Sequence, residues 1–333
     1  MEGDPPCFVD SRQIAVNRFR SLERRFRKDG VLCQQYREFM RDYLTKGHME
    51  LVPEPVPTDG RVFYLPHHGV SKLESETTKL RVVFDASSQC SNGMSLNQAL
   101  LSGPKLQQDI VSVLLRFRLG KVALTADVKQ MFRQIWIDKS QRDYQRVVWR
   151  FSEEEPIADY RLTTVTFGIS PSPYLAIRCL LQLAEESTAD YPLAARALQT
   201  ALYVDDIVIS VDSEEEARAL RDQLDILLAQ AGFPLRKWAS SHSSVLDDIA
   251  VEARSASMLT FDSETDIFLK VLGLHWCAHS DCFSFQVRPL DRGCSKRIIL
   301  SELARIFDPL GFLAPLTFAA KLLIQQLWVL GLD

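Results

Sequence analysis

Tyr203-Val204-Asp205-Asp206 sets two adjacent carboxylates between two apolar, β-branched stretches, Ala201 to Val204 and Ile207 to Val211. Two strand-length segments around a two-residue turn predict a β-hairpin with the acidic pair at its tip. Adjacent carboxylates repel and lose solvation unless a positive charge holds them. A third acid, Asp127, closes the apolar run from Val122 to Ala126, and a strand beside the hairpin would bring the three together. Hard carboxylate oxygens with no His or Cys nearby favour magnesium or manganese over zinc. Two such ions about 3.5 to 4 Å apart activate an attacking oxygen and stabilise a leaving one, so the chemistry is phosphoryl transfer. A Tyr-x-Asp-Asp string also describes an ordinary solvated hairpin tip. The surrounding chain has to decide between the two.

The elements that would position these acids can be traced along the chain. Strands are expected at Arg61 to Leu65, Lys79 to Phe84, Val122 to Ala126 and Val147 to Phe151, with helices at Leu106 to Arg118 and Tyr174 to Glu186. After the acidic hairpin, Asp212 or Ser213 caps a helix whose first turn carries Glu214 to Glu216. Ala217, Leu220, Leu224, Leu227 and Leu228 form its buried stripe, and Gly232 ends it. The Pro-rich passage Val52 to Pro57 marks an extended linker or edge. Cys294 to Leu332 reads as largely helical with a break at Asp308-Pro309-Leu310-Gly311.

The chain has 333 residues, 46% hydrophobic and 25% charged, as expected of a globular protein with a sizeable core. The net charge of −4 does not announce nucleic-acid binding. The charge is uneven, however, with Arg12, Arg18, Arg20, Arg24, Arg25, Arg27, Lys28, Arg37 and Arg41 crowded near the start. Val16, Phe19, Leu22 and Phe26 make that segment an amphipathic helix whose basic side is either solvated or in contact with a partner. No signal peptide and no membrane-length apolar run is present, which predicts an intracellular protein. Seven scattered cysteines fit reduced thiols. His275, Cys277, His279 and Cys282 could be imagined as a zinc site, but the stretch reads better as a hairpin turning at Ser280-Asp281.

Taken in order, the motifs resemble the reverse transcriptases of LTR retrotransposons of the BEL/Pao group. The resemblance rests on Leu65-Pro66-His67-His68-Gly69-Val70, Lys79 to Ser87, Ser95-Leu96-Asn97, Gly103-Pro104, Asp127 to Ile135, and Phe167-Gly168 with Ser172-Pro173. It continues through the Tyr-Val-Asp-Asp box, Leu235-Arg236-Lys237-Trp238, Leu272-Gly273 and Phe307 to Gly311. It implies an α+β right-hand polymerase with fingers, a palm of antiparallel sheet and packed helices, and a partial helical thumb. The implied divisions are a basic helical extension over 1–50, fingers with entry to the palm over 51–120, palm over 121–138 and fingers over 139–172. Palm with a primer-grip-like hairpin follows over 173–290, and the start of a thumb, cut short, over 291–333.

The resemblance also implies roles. Asp127, Asp205 and Asp206 would hold two Mg2+ (or Mn2+) ions, and Lys237 would protonate departing pyrophosphate. Lys79 and Arg81 would hold the incoming triphosphate. Phe132 would lie under the nucleotide sugar as a gate against a 2′-hydroxyl, favouring dNTPs. Gly168 and Pro173 would position the template, with Tyr203 beside the substrate. Phe167 departs from the Gln common in many LTR elements at that position. Implied partners are an RNA or DNA template with primer, dNTPs, and other polyprotein segments: protease, RNase H and integrase, none of which the motifs place in this chain. No membrane is implied, and the expected location is the cytoplasm, in the element's virus-like particle. Three alternatives stay open: a domesticated or truncated element that binds nucleic acid without polymerising, an RNA-dependent RNA polymerase, and a non-catalytic structural segment.

Overall fold

The computed structural model describes residues 7–53, 62–71, 80–255, 268–285 and 295–331. In chain order the elements are α1 (Ser11–Phe26), α2 (Gly30–Thr45), β1 (Met49–Leu51), β2 (His67–Ser71), β3 (Leu80–Phe84), α3 (Leu96–Ala99), α4 (Ile110–Arg116) and β4 (Val122–Val128). They continue with β5 (Arg146–Trp149), β6 (Ala158–Leu162), α5 (Ser172–Glu186), α6 (Pro192–Thr200), β7 (Leu202–Tyr203), β8 (Asp206–Val211), α7 (Glu214–Gln230) and β9 (Leu235–Ser240). Strands β10 (Phe268–Val271), β11 (Leu274–Cys277) and β12 (Cys282–Ser284) precede helices α8 (Lys296–Ala304) and α9 (Ala314–Val329). The architecture is α+β. It divides into two compact units, one of residues 1–106 with 130–179, the other of 107–129 with 180–333.

In the first unit, β1, β6 and β5 form one antiparallel sheet and β2 pairs with β3 in another. Two amphipathic helices fill the space beside them. Phe19 and Phe26 of α1 and Tyr36 of α2 converge on Trp149 of β5, the Tyr36 ring stacking on the indole at 5.5 Å. At the centre, the buried His67 ties three elements together. Its Nε2 meets the Val148 carbonyl at 3.1 Å and its Nδ1 the Tyr36 hydroxyl at 2.5 Å. A carbonyl only accepts, so Nε2 carries the proton and Tyr36 donates to Nδ1. Burial pushes this imidazole's pKa down to about 4.

The second unit is built on an antiparallel sheet in the order β7-β8-β4-β9. Every residue of β4 is buried, as its largely apolar run from Val122 to Ala126 requires of a central strand, and Thr125 and Asp127 are buried with it. Helix α7 packs on the sheet through Ala217, Leu220, Leu224, Leu227 and Leu228, and its Ser213 side chain accepts from the Glu216 N–H at 3.2 Å. The β10-β11-β12 meander confirms the hairpin over 275–285, with Cys277 opposite Cys282. Asp308 caps the chain between α8 and α9, accepting from the Phe312 and Leu313 N–H groups at 2.9 and 2.6 Å. No helix among the described residues is long and apolar enough to cross a membrane.

Three expected elements come out differently. Within the expected strand Arg61 to Leu65, the described part holds only an isolated bridge from Tyr64 to Arg146, and the strand proper begins at His67. The expected helix over Leu106 to Arg118 is confined to Ile110–Arg116, because the Asp109 side chain caps it by accepting from the Ser112 N–H at 3.2 Å. The turn of the acidic hairpin is also displaced, as described next.

Candidate active site

Strand register builds the acidic centre. The β4–β8 ladder runs from Val122 opposite Val211 to Asp127 opposite Asp206. On the other edge of β8, Tyr203 pairs with Asp206, which makes the turn Val204-Asp205 rather than Asp205-Asp206. The chain turns one residue early because Val204 takes the left-handed conformation, φ 54°. Asp206 thereby becomes a strand residue facing Asp127. The turn is pinned on both sides: the Val204 N–H donates to Gln107 Oε1 at 2.9 Å, and the Asp205 carbonyl accepts from the Val128 N–H at 2.7 Å.

The opposite neighbour of β4 supplies cations. The β4–β9 register shifts between Thr125 and Asp127, so Lys237 and Trp238 together oppose Ala126 in a β-bulge, with Lys237 at φ 55°. On an unbroken strand, adjacent side chains point to opposite faces. The bulge removes that restriction, and two successive cations reach one carboxylate: Arg236 Nε donates to Asp127 Oδ1 at 2.5 Å and Lys237 Nζ lies 3.5 Å from Oδ2. A cavity of about 90 Å³ opens beside this cluster, lined by Asp127, Asp206 and Lys237 together with Ser255, Leu269 and Lys270. Residues of strand β10 therefore form one wall of the cavity at the acidic site.

The electrostatics favour a cation in this place. Burial, then the charge of Asp127, raises the Asp205 pKa. Burial followed by the charges of Asp205 and Asp127 raises that of Asp206 to about 7, with Lys237 opposing. Reverse transcriptases as a family use divalent metal ions. The donors present are all carboxylate oxygens, the ligand type that suits a divalent cation such as Mg2+, and such an ion would relieve their mutual repulsion. Among the described residues no three His, Cys, Asp or Glu side chains stand close enough to one another to share one. Asp127 is engaged by Arg236 and Lys237 instead.

A second cluster lies wholly within the first unit. Arg81 of β3 sits over the Phe167 ring, 5.4 Å from its centroid, and Phe167 meets Phe132 edge to face at 4.4 Å. Phe132 is buried, 6% exposed, in a short 3-10 turn over Met131–Gln134. Gly168, at φ 91°, brings the chain so close to β3 that a Cβ there would stand 2.8 Å from the Phe84 carbonyl oxygen. Asn97 holds the same turn, donating to the Gly168 carbonyl at 3.0 Å and accepting from the Ser170 N–H at 2.8 Å. Pro173 follows in the first turn of α5, where its missing N–H costs nothing. Lys79 lies outside the described residues.

The structure thus gathers Asp127, Asp205, Asp206, Lys237 and Tyr203 in the second unit, and Arg81, Phe132, Gly168 and Pro173 in the first. Sequence reasoning missed three participants. Arg236 was visible beside Lys237 but had no role, Asn97 was one letter of a motif, and Phe167 was noted only as a departure although it links Arg81 to Phe132.

The chain belongs to the reverse transcriptase family: residues 57–255 match the model described as reverse transcriptase (RNA-dependent DNA polymerase). Residues 295–333 match a second model, described as a Pao retrotransposon-like RNaseH-like domain, which places the chain with the Pao/BEL-type retrotransposons. This second match falls within the segment over 291–333 that motif order expected to begin a thumb. Two crystal structures of prototype foamy virus protease-reverse transcriptase, a selenomethionine-labelled CSH mutant and the native protein, are similar at 18% and 20% identity with TM-scores of 0.47 and 0.44. These matches cover 62% and 60% of this chain but 24% and 23% of the viral chains, so it spans about a quarter of their length. No curated protein sequence matches the chain.

Proposed function

We propose that the chain is an RNA-directed DNA polymerase that extends a primer with dNTPs, working as one segment of a retrotransposon polyprotein inside the cell. The observation that carries this reading is the β4–β8 register, which sets Asp206 opposite Asp127 with Asp205 at the adjoining turn. In the reaction the primer 3′-hydroxyl oxygen bonds to the α-phosphorus of the dNTP, and the bond from that phosphorus to the pyrophosphate oxygen breaks. Asp127, Asp205 and Asp206 would hold two Mg2+ or Mn2+ ions, which supply Lewis acidity at the attacking and leaving oxygens.

The protein's own part is positioning and charge neutralisation. Arg81, with Lys79, neutralises the triphosphate. The Phe132 ring, held edge to face by Phe167, excludes a 2′-hydroxyl. Gly168 and Pro173 shape the turn that positions the template, and Tyr203 borders the substrate. Lys237 delivers a proton to departing pyrophosphate. In this assignment the first unit corresponds to fingers and the sheet of the second to the palm, with template, primer and the protease, RNase H and integrase segments as partners. The test is primer extension on an RNA template with and without magnesium, comparing dNTPs with rNTPs. Magnesium-dependent dNTP incorporation supports the reading, and equal use of rNTPs removes the gate role of Phe132.

A second reading has one observation behind it. Asp127 is paired with Arg236 and Lys237, as in a site retired from catalysis in a protein that binds nucleic acid without polymerising. Template-primer binding without incorporation in the same assay would select it.

A further inference from the structure

Helix α1 lies before the residues matched to the reverse transcriptase family and presents an unopposed positive face. Its inner side is consumed by the first unit's core through Ala15, Val16, Phe19, Leu22 and Phe26. The one acid in the helix, Glu23, is buried and spent on Arg150, whose Nε and Nη2 donate to its two oxygens at 2.7 and 3.0 Å. Both flanks are tied down, Arg12 to Asp159 at 2.9 Å and Arg27 to Glu153 at 2.8 Å. The helix is therefore a fixed platform. Outward from it stand Arg18, Arg20, Arg24, Arg25 and Lys28, all exposed. Among the described residues none of these five makes an ion pair; Arg24 donates only to the Ser21 hydroxyl, at 2.8 Å.

Arg20 and Arg24 stand one turn apart on α1, about 6 Å along the axis. Lys28 follows four residues on, in the turn just past the last helical residue Phe26, so that the stripe continues off the helix end. The helix dipole accounts for cations in the last turn, Arg24 and Arg25. It does not account for Arg18 and Arg20. Like charges four apart destabilise a helix, and the chain's net charge of −4 shows that positive charge is not general to its composition. The exposed residues among these cations are Gln13, Asn17 and Ser21, all hydrogen-bonding and none aromatic. A single-stranded partner would be gripped through base stacking on aromatic rings. A face of cations and small polar groups is suited to phosphates alone.

We propose that the outer face of α1 binds the phosphate backbone of a nucleic-acid duplex. The proposal rests on the polymerase reading and adds to it a contact outside the family-matched residues. Its test uses the full chain and the triple variant Arg20→Gln/Arg24→Gln/Lys28→Gln, with binding to an RNA–DNA duplex followed by fluorescence anisotropy from about 50 to 200 mM salt. The slope of log K against log salt is expected to become shallower by about 2 to 3, at ~0.9 per duplex phosphate contact, with affinity at ~0.1 M salt falling on the order of 100-fold. The variant's melting temperature and its incorporation rate at saturating template-primer are expected to match wild type, and Arg20→Lys/Arg24→Lys to keep the wild-type slope. An unchanged slope in a triple variant that still extends primers overturns the proposal and leaves the polymerase reading intact. A larger loss on single strands than on duplex also overturns it. A wild-type chain that binds no duplex overturns both.

Discussion

At the scale of single residues, the acidic turn stores strain. Val204 is β-branched and sits at φ 54°, a region where a Cβ costs about 1 to 2 kcal/mol. Strained backbone of this kind is tolerated where surrounding contacts over-determine it, here the hydrogen bonds of Val204 to Gln107 and of Asp205 to Val128. Val204→Gly is expected to raise stability by about 1 kcal/mol, the released strain being partly offset by glycine's entropy. A thermal melt checks this, and a lower melting temperature would contradict it. Arg236 allows a second test. Its guanidinium shares Asp127 with Lys237, so it competes with any metal for that carboxylate. Arg236→Gln is expected to tighten Mn2+ binding several-fold by electron paramagnetic resonance titration; unchanged affinity would mean that the ion pair does not compete.

At the scale of elements, legibility followed how local the determinants were. Helix α7 was readable from Ser213 to Gly232 because its cap, acidic first turn and apolar stripe all lie within its own residues. β4 was readable because a strand buried on both faces is mostly apolar, here Val122 to Ala126 broken only by Thr125, up to the Asp127 near its end. β6 was not, since its half-buried Asp159 and Arg161 acquire meaning only from Arg12, Tyr64 and Glu50 on other elements. α2 was lost among the arginines around it, though Leu32, Tyr36, Met40 and Tyr43 form its buried side. For the site, the three acids and Lys237 were legible from motif order. The bulge that points Arg236 and Lys237 at the same carboxylate was not, because it depends on register with β4. The Gly168 turn shows the same dependence on a neighbouring strand. Its φ of 91° and the Phe84 carbonyl 2.8 Å from a would-be Cβ leave no room for a side chain. Gly168→Ala is expected to cost at least about 2 kcal/mol, lowering the melting temperature by several degrees; a neutral result would contradict the close approach to β3.

At the scale of the whole molecule, one buried imidazole makes stability depend on pH. His67 has its pKa near 4 in the folded chain against an ordinary 6.5. Between those values the unfolded chain binds more protons than the folded one, so stability falls as pH drops from about 6.5 to about 4 and is level on either side. The full loss is roughly 3 kcal/mol. Asp206, whose pKa is raised, contributes a slope of opposite sign in the native chain. The comparison is therefore wild type against His67→Gln in parallel denaturation series, and the difference between them should carry the His67 slope. A pH-independent difference would contradict the buried neutral imidazole.

The proposed function stands or falls on whether the carboxylates brought together by β4 and β8 perform nucleotidyl transfer. The direct measurement is the single-turnover rate of dNTP incorporation into a primer on an RNA template in magnesium, for the wild-type chain and for Asp205→Asn. Incorporation by wild type and a loss of at least about 100-fold in the variant are expected, with template-primer affinity retained. Equal rates in the two proteins would contradict it, as would a wild-type chain that binds template-primer and adds no nucleotide.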